Sequence, residues 1–270
     1  MAITALHSAA TGLSALSTEI DVIANNLANV NTIGFKAAKT NFEDLLYQER
    51  AQPGVQTENG ERPSGLYVGL GTRISNTQFD FNTIGSPVPA SGDLDMMIDG
   101  PGLFQVEVLD AQGESGIGYT RAGNFTQNSE GDVVLGNADG PRLTPALNIP
   151  EGTTKVEITA DGRVMAFVNG QTQPQELVQL QLATFVNPGG LKPIGGNLFV
   201  ETAASGPPIT GTPGEGSFGI IKQRYLEASN VEPVTELVSL IKTQRAFELN
   251  SQTIQAADEA LQVISNLRRF

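Results

Sequence analysis

Leu6, Leu13, Ile20 and Leu27 stand seven residues apart, and Ala9, Leu16, Ile23 and Val30 follow three residues after each of them. Two apolar rows at a and d positions are the pattern of a coiled-coil seam, and they predict a helix over Thr4–Asn29. At ~1.5 Å per residue it spans ~39 Å. Asn25, Asn26, Asn29 and Asn31 ahead of Gly34 predict the exit over Ile33–Lys36. The other end repeats the device: Leu240, Phe247, Ile254 and Leu261 are seven apart, with Thr243, Asn250, Ala257 and Ile264 as a weaker second row. Ser229 with Glu232 fits a capping box and Pro233 falls in the first turn, so a second helix is predicted from about Asn230 to Leu267, more than ~50 Å long. A narrow a/d seam leaves most of each helix polar or small. One reading is an intramolecular hairpin covering a β domain. A lone pair of that length, however, buries little apolar surface, and association with copies of itself would supply what is missing.

Between the ends the punctuation changes. Of the 45 Gly and Pro residues, 42 lie between positions 34 and 229. Charge divides the same way, because residues 51–228 carry 19 acidic and 9 basic side chains of a chain whose net charge is −13. Val156 and Ile158, then Val164, Ala166 and Val168, alternate around Asp161-Gly162 with Asn169-Gly170 after them, a hairpin signal. Phe104, Val106 and Val108 form another alternating run, and Val178–Phe185 a further one. Gln52–Ser64 and Ala203–Ser217 are rich in Gly, Pro, Thr and Glu and read as long loops or linkers. The expected fold is α+β: long N- and C-terminal helices forming a coiled-coil-like inner domain (1–34 with 229–270), a mainly antiparallel β middle domain (86–202), and extended connecting segments (35–85 with 203–228).

The chemistry available is narrow. An excess of acid argues against a nucleic-acid surface. No Cys and one His remove thiolate and imidazole-rich metal sites and leave no usual partner for a nucleophilic Ser. His7 is read as a plain polar helix residue. Asp93, Asp95 and Asp99 lack the terminal Glu of a Ca²⁺ loop and read as a strand edge with its turn. Gly69-Leu70-Gly71 lacks a third Gly and a following helix, so it reads as a turn and no cofactor is expected. No stretch approaches the ~18 apolar residues of a membrane span, and the opening residues lack the basic front of a cleavable signal peptide. A cytoplasmic chain, or one exported by an unusual route, is expected. Acidic pairs are numerous enough that a β-rich hydrolase of peptidoglycan stays open as an alternative.

The same segments carry a resemblance. DVIANNLANVNTIGFK (Asp21–Lys36) resembles the N-terminal signature of bacterial flagellar rod and hook proteins, and SNVEPVTELVSLIKTQRAFELNSQTIQAADEALQ (Ser229–Gln262) their C-terminal signature. MIDGPGLFQV (Met97–Val106) is similar to the family's internal IDGxGFF segment, with Leu103 for the usual first Phe, and YTRAGNF (Tyr119–Phe125) to the segment after it. FEDLLYQ (Phe42–Gln48), PSGLYVGLGTR (Pro63–Arg73) and the length resemble the distal-rod branch, with a proximal rod or hook subunit as the alternative. The resemblance implies a non-catalytic subunit that stacks helically with copies of itself into a rigid hollow shaft. That shaft would have proximal rod proteins below, hook protein above, P-ring and L-ring proteins around it, and torque passing to the hook. It also implies passage through the flagellar type III export apparatus without cleavage. Leu6, Leu13, Leu16, Ile20, Ile23, Leu27, Val30, Leu240, Phe247, Ile254, Leu261 and Ile264 are then expected in the packing between helices and subunits. Gln52, Pro53 and Pro63 would lie in a rod-specific stretch between Tyr47 and Tyr67 that stiffens the tube.

Overall fold

A computed structural model describes residues 2–57, 60–108, 116–169 and 173–267, with the side chains of 2, 3, 56, 57, 60 and 264–267 outside the description. Two long helices stand at the ends, α1 (Ala2–Ala28) and α2 (Pro233–Leu267). α1 stops at Ala28, midway through the Asn run: the Thr32 N–H bonds the Asn29 carbonyl, and Gly34 takes φ +66°. A Cβ at Gly34 would lie 2.5 Å from the Ala122 nitrogen, so only Gly fits this turn. Before α2, the Val231 N–H donates to the Ser229 hydroxyl at 3.3 Å, and Pro233 takes the first helical position, where its missing N–H costs nothing. Among the described residues no helix is long and apolar enough to cross a membrane.

The chain divides into two compact units. The first gathers α1 as far as Leu27, residues 38–78, and α2. Residues 38–78 supply a strand pair, Ala38–Asp44 with Thr72–Phe79, and a hairpin arm. The second holds residues 28–37 and 79–232 and is built from many short antiparallel sheets. Its largest sheet orders Leu143–Thr144, Phe104–Glu107, Ile117–Thr120, Leu198–Val200 and Lys192–Gly195. Thr153–Ile158, Arg163–Val168 and Gln175–Gln179 make a three-stranded sheet in which Val156 faces Ala166 and Ile158 faces Val164. These four alternating residues are buried with Met96, Phe104, Val106, Phe125 and Leu182. The turn between the strands is Asp161-Gly162 as the dipeptide predicts, with Gly162 at φ +83°; Gly170 lies outside the described residues.

Three expectations change. Gln52–Ser64 is the end of a β-hairpin: Tyr47–Ala51 pairs with Leu66–Gly69, and Gln56–Thr57 pairs with Gly60–Glu61 beyond them. Ala203–Ser217 carries the strand Ile209–Gly211, paired with Leu182–Thr184. Val178–Phe185 in turn holds parts of two strands in different sheets, with Leu180 and Gln181 between them outside either strand. Gly and Pro density marks frequent reversals, and strands of two or three residues between reversals are too short to show alternation.

Candidate assembly surface

In the first unit the helices touch where Asn26 donates to Glu236 and where Gly12 comes close to Asn250, and most of their best-buried positions are small or polar. On α1 the most buried positions are Ala9, Ala15, Ile23 and Asn26, while Leu6, Leu13, Leu16, Ile20 and Leu27 are only half-buried. Val30, just past the helix, is half-buried as well. On α2 the most buried position is Thr243; Leu240, Asn250, Ile254, Ala257 and Leu261 are half-buried, Phe247 is exposed, and the Ile264 side chain lies outside the description. What this pairing leaves in water includes an apolar stripe. Val234 is 70% exposed, Leu237 45%, Val238 47% and Ile241 51%, at helical spacing along one stripe. Full burial of such a side chain is worth about 1.5–3 kcal/mol, so covering four that are half exposed would contribute roughly 3–6 kcal/mol per copy.

The hairpin arm presents a second apolar surface. Leu46 is 83% exposed, and Tyr47, Val55, Leu66 and Tyr67 are exposed with it. Gln52, Pro53 and Pro63 are exposed at its far part. A two-stranded ribbon with open edges is marginal by itself. The base of the arm is fastened to α1. His7 Nδ1 lies 3.0 Å from the Leu70 carbonyl, the Ser8 hydroxyl donates to the Gly69 carbonyl at 3.3 Å, and a Cβ at Gly71 would stand 2.0 Å from Thr11 Oγ1. His7 is thus a helix surface residue, as expected, with a tertiary hydrogen bond that its position in the sequence did not reveal. Gly69-Leu70-Gly71 is a turn held close against the helix.

The second unit contains an ion cluster that hydrophobic patterning missed. The Lys36 ammonium donates to Glu227 Oε1 and to the Thr83 carbonyl, both at 2.7 Å, and Arg121 Nε lies 3.6 Å from Glu227 Oε2. All three side chains are 2% exposed or less. The Gly85 N–H donates to Glu227 Oε1, and Arg121 reaches the Ile98 and Gly100 carbonyls. Burial pulls the Lys36 ammonium below its ordinary pKa while Glu227 pulls it back up, and burial likewise lowers Arg121. Asn230 joins the same neighbourhood, accepting from the Ala37 N–H at 2.7 Å and donating to the Asp80 carbonyl. Lys36, Arg121 and Asn230 lie inside the signature segments quoted above and Glu227 two residues before one. That location was the available signal, since nothing in periodicity marks a charge as buried. Asp93 and Asp99, weighed as a cation site, are instead paired with Arg224 at 2.6 Å and Lys222 at 2.5 Å, and Asp95 caps the Gly92 N–H. The unit also carries an apolar groove of about 510 Å³ lined by Phe81, Ile84, Leu103, Phe185, Val186 and Ile209.

Comparison with known proteins follows the same segments. Residues 6–36 match the family described as flagella basal body rod protein. Residues 97–166 match the flagellar hook protein FlgE/F/G D1 domain, and residues 222–267 the flagellar basal body rod FlgEFG protein C-terminal region. The chain is 43% identical to the flagellar basal-body rod protein FlgG of Caulobacter vibrioides, over 98% of this chain and 99% of that one. Identity to FlgG of Agrobacterium fabrum is 42% over 97% and 98%, and to FlgG of Bacillus subtilis 35% over 98% of each. FlgF of Caulobacter vibrioides is similar at 34%, over 86% of this chain and 84% of its own.

Proposed function

The chain belongs to the FlgG family of flagellar basal-body rod proteins, and from that premise we propose how this non-enzymatic rod subunit builds its part of the structure. The peptidoglycan hydrolase weighed on sequence grounds falls with that assignment. In our reading, copies of the chain stack helically as the distal rod, a hollow shaft that carries torque to the hook and leaves a channel for export. Residues 1–34 with 229–270 form the inner tube, 86–202 the outer face toward the P-ring and L-ring proteins, and 35–85 with 203–228 the connection. Proximal rod proteins adjoin it below and hook protein above, after passage through the type III export apparatus. The observation that carries this reading is the inward turn of the small and polar rows of α1 and α2, which leaves Val234, Leu237, Val238 and Ile241 open to a neighbouring subunit. A contact that is not self-complementary and repeats head to tail produces an open helix, the symmetry of a rod. The arm from Tyr47 to Gly69 braces such neighbours and stiffens the tube.

The direct test is Ile241→Asp. Its side chain is exposed in the single chain, so the purified variant should keep the circular dichroism and melting temperature of the parent. In the tube the charge would be buried without a partner, and cells should lack rods and motility. Normal rods from this variant would refute the assigned face.

A further inference from the structure

Heptads repeat, and repetition leaves a choice open. α1 could slide on α2 by seven residues, ~10.5 Å along the axis, and still meet the same kinds of side chain, since Leu6, Leu13, Ile20 and Leu27 are nearly alike. Two contacts of the helix pair are not repeated. Asn26, 1% exposed, accepts from the Ala38 N–H at 2.9 Å, donates to the Ala38 carbonyl at 2.9 Å, and donates its second amide hydrogen to Glu236 Oε1 at 3.3 Å. Gly12 lies so close to α2 that a Cβ there would stand 3.3 Å from the Asn250 amide nitrogen. A glycine inside a helix is destabilising by about 1 kcal/mol relative to Ala, and here it permits close approach. Asn26 and Gly12 are fourteen residues apart on α1, and Glu236 and Asn250 fourteen apart on α2 in the opposite order. Both contacts therefore belong to one antiparallel register, two heptads long. The same register sets Glu19 opposite Thr243, the most buried position of α2.

We infer that Asn26, bonded to Glu236, is the positioning residue that sets the height at which α1 pairs with α2, with Gly12 as the second pin. A slip of one heptad carries Glu236 away from Asn26 and sets the shorter Thr243 or Ser229 side chain opposite it, so the buried amide loses its carboxylate acceptor, a penalty the leucine row does not impose. A single buried polar group is a known device for choosing one register among equivalents. Height has a consequence for a polymer. It fixes where the stripe Val234–Leu237–Val238–Ile241 stands relative to the half-buried leucines of α1, and a neighbour must meet both.

The chain has no cysteine, so an introduced pair reports without background. The pinned register sets Leu16 opposite Ala246, whereas a heptad slip brings Leu16 opposite Ser239 or Thr253. Leu16→Cys would be combined with Ala246→Cys, Ser239→Cys or Thr253→Cys in the purified full chain and treated with a short bismaleimide. Intrachain product runs at monomer size on a gel. In the parent background the 16/246 pair should dominate, with the other two at a tenth of it or less. Asn26→Leu should raise a slipped pair at least threefold. Glu236→Leu should do the same, while Glu236→Gln, which keeps the acceptor oxygen, should hold the parental pattern; this contrast decides the matter if Asn26→Leu does not fold. An unchanged pattern in both leucine variants overturns the inference, as does failure of the 16/246 pair in the parent background. These readouts use the isolated chain and do not depend on the rod reading, which motility of the same variants tests separately.

Discussion

Replacing Glu227 by Gln removes one charge and almost no volume, and its cost can be worked from the buried cluster. The amide oxygen can still accept from the Gly85 N–H and from Lys36, whose bonds to Oε1 are 2.9 and 2.7 Å. What is lost is the anion for two cations that water does not reach, Lys36 at 0% and Arg121 at 2% exposure. Breaking a buried pair by removing one partner costs about 3–5 kcal/mol. The upper end has a second ceiling: Lys36 can shed its proton instead, and deprotonating an ammonium of ordinary pKa 10.5 at pH 7 costs about 5 kcal/mol. With a urea slope of about 2 kcal/mol per molar, the midpoint of the Glu227→Gln chain should fall by about 1.5–2.5 M, followed by far-ultraviolet circular dichroism. The sign of its pH dependence follows from Lys36. A folded pKa held below the unfolded one means the folded state binds fewer protons in the window between them, so stability rises with pH there. Losing Glu227 removes the contribution that raised Lys36, widens that window downward, and makes the deficit against the parent shrink as pH climbs toward 10. A deficit under 1 kcal/mol at pH 7, or one that does not narrow at alkaline pH, would show that the cluster is not a buried ion network.

Leu16→Asp should abolish motility while the second unit survives limited proteolysis at parental rates, because Leu16 lies in the helix pair and outside the Phe79–Glu232 core; normal swimming would refute its place in the seam. Deleting Gln52–Arg62 removes the far part of the hairpin arm, and electron micrographs of basal bodies should then show curved or broken rods in place of straight ones. The buried Tyr119 hydroxyl has no hydrogen-bond partner among the described residues, and burial, with the negative charge of Glu201 adding to it, pushes its pKa up to about 12. The folded chain should therefore lose stability as pH rises from 10 toward 12. Tyr119→Phe should lack that loss and match or exceed the parent at pH 7 by about 1 kcal/mol in urea melts.

Short-range pattern accounts for much of this molecule. Two heptad ladders determine two long helices, since a 3.6-residue period is a property of neighbouring turns and needs no distant partner. Asp161-Gly162 between Val156, Ile158 and Val164, Ala166 determines a hairpin for the same reason. The resemblance of Asp21–Lys36 and Ser229–Gln262 to rod and hook signatures pointed to the family before any contact was known. Composition misled where strands are short and turns dense, in the hairpin end at Gln52–Ser64 and in Ala203–Ser217, whose Ile209–Gly211 pairs with the distant Leu182–Thr184. Which helix positions are buried depends on the packed fold, which covers Ala9, Gly12, Asn26 and Thr243 more fully than the leucines. It alone brought Lys36, Arg121 and Glu227 together across 191 residues of chain. Periodicity says that a helix has faces, and charge says that an ion wants a partner. The choice of face and partner depends on segments distant in sequence, whose close packing and exclusion of water no local window contains.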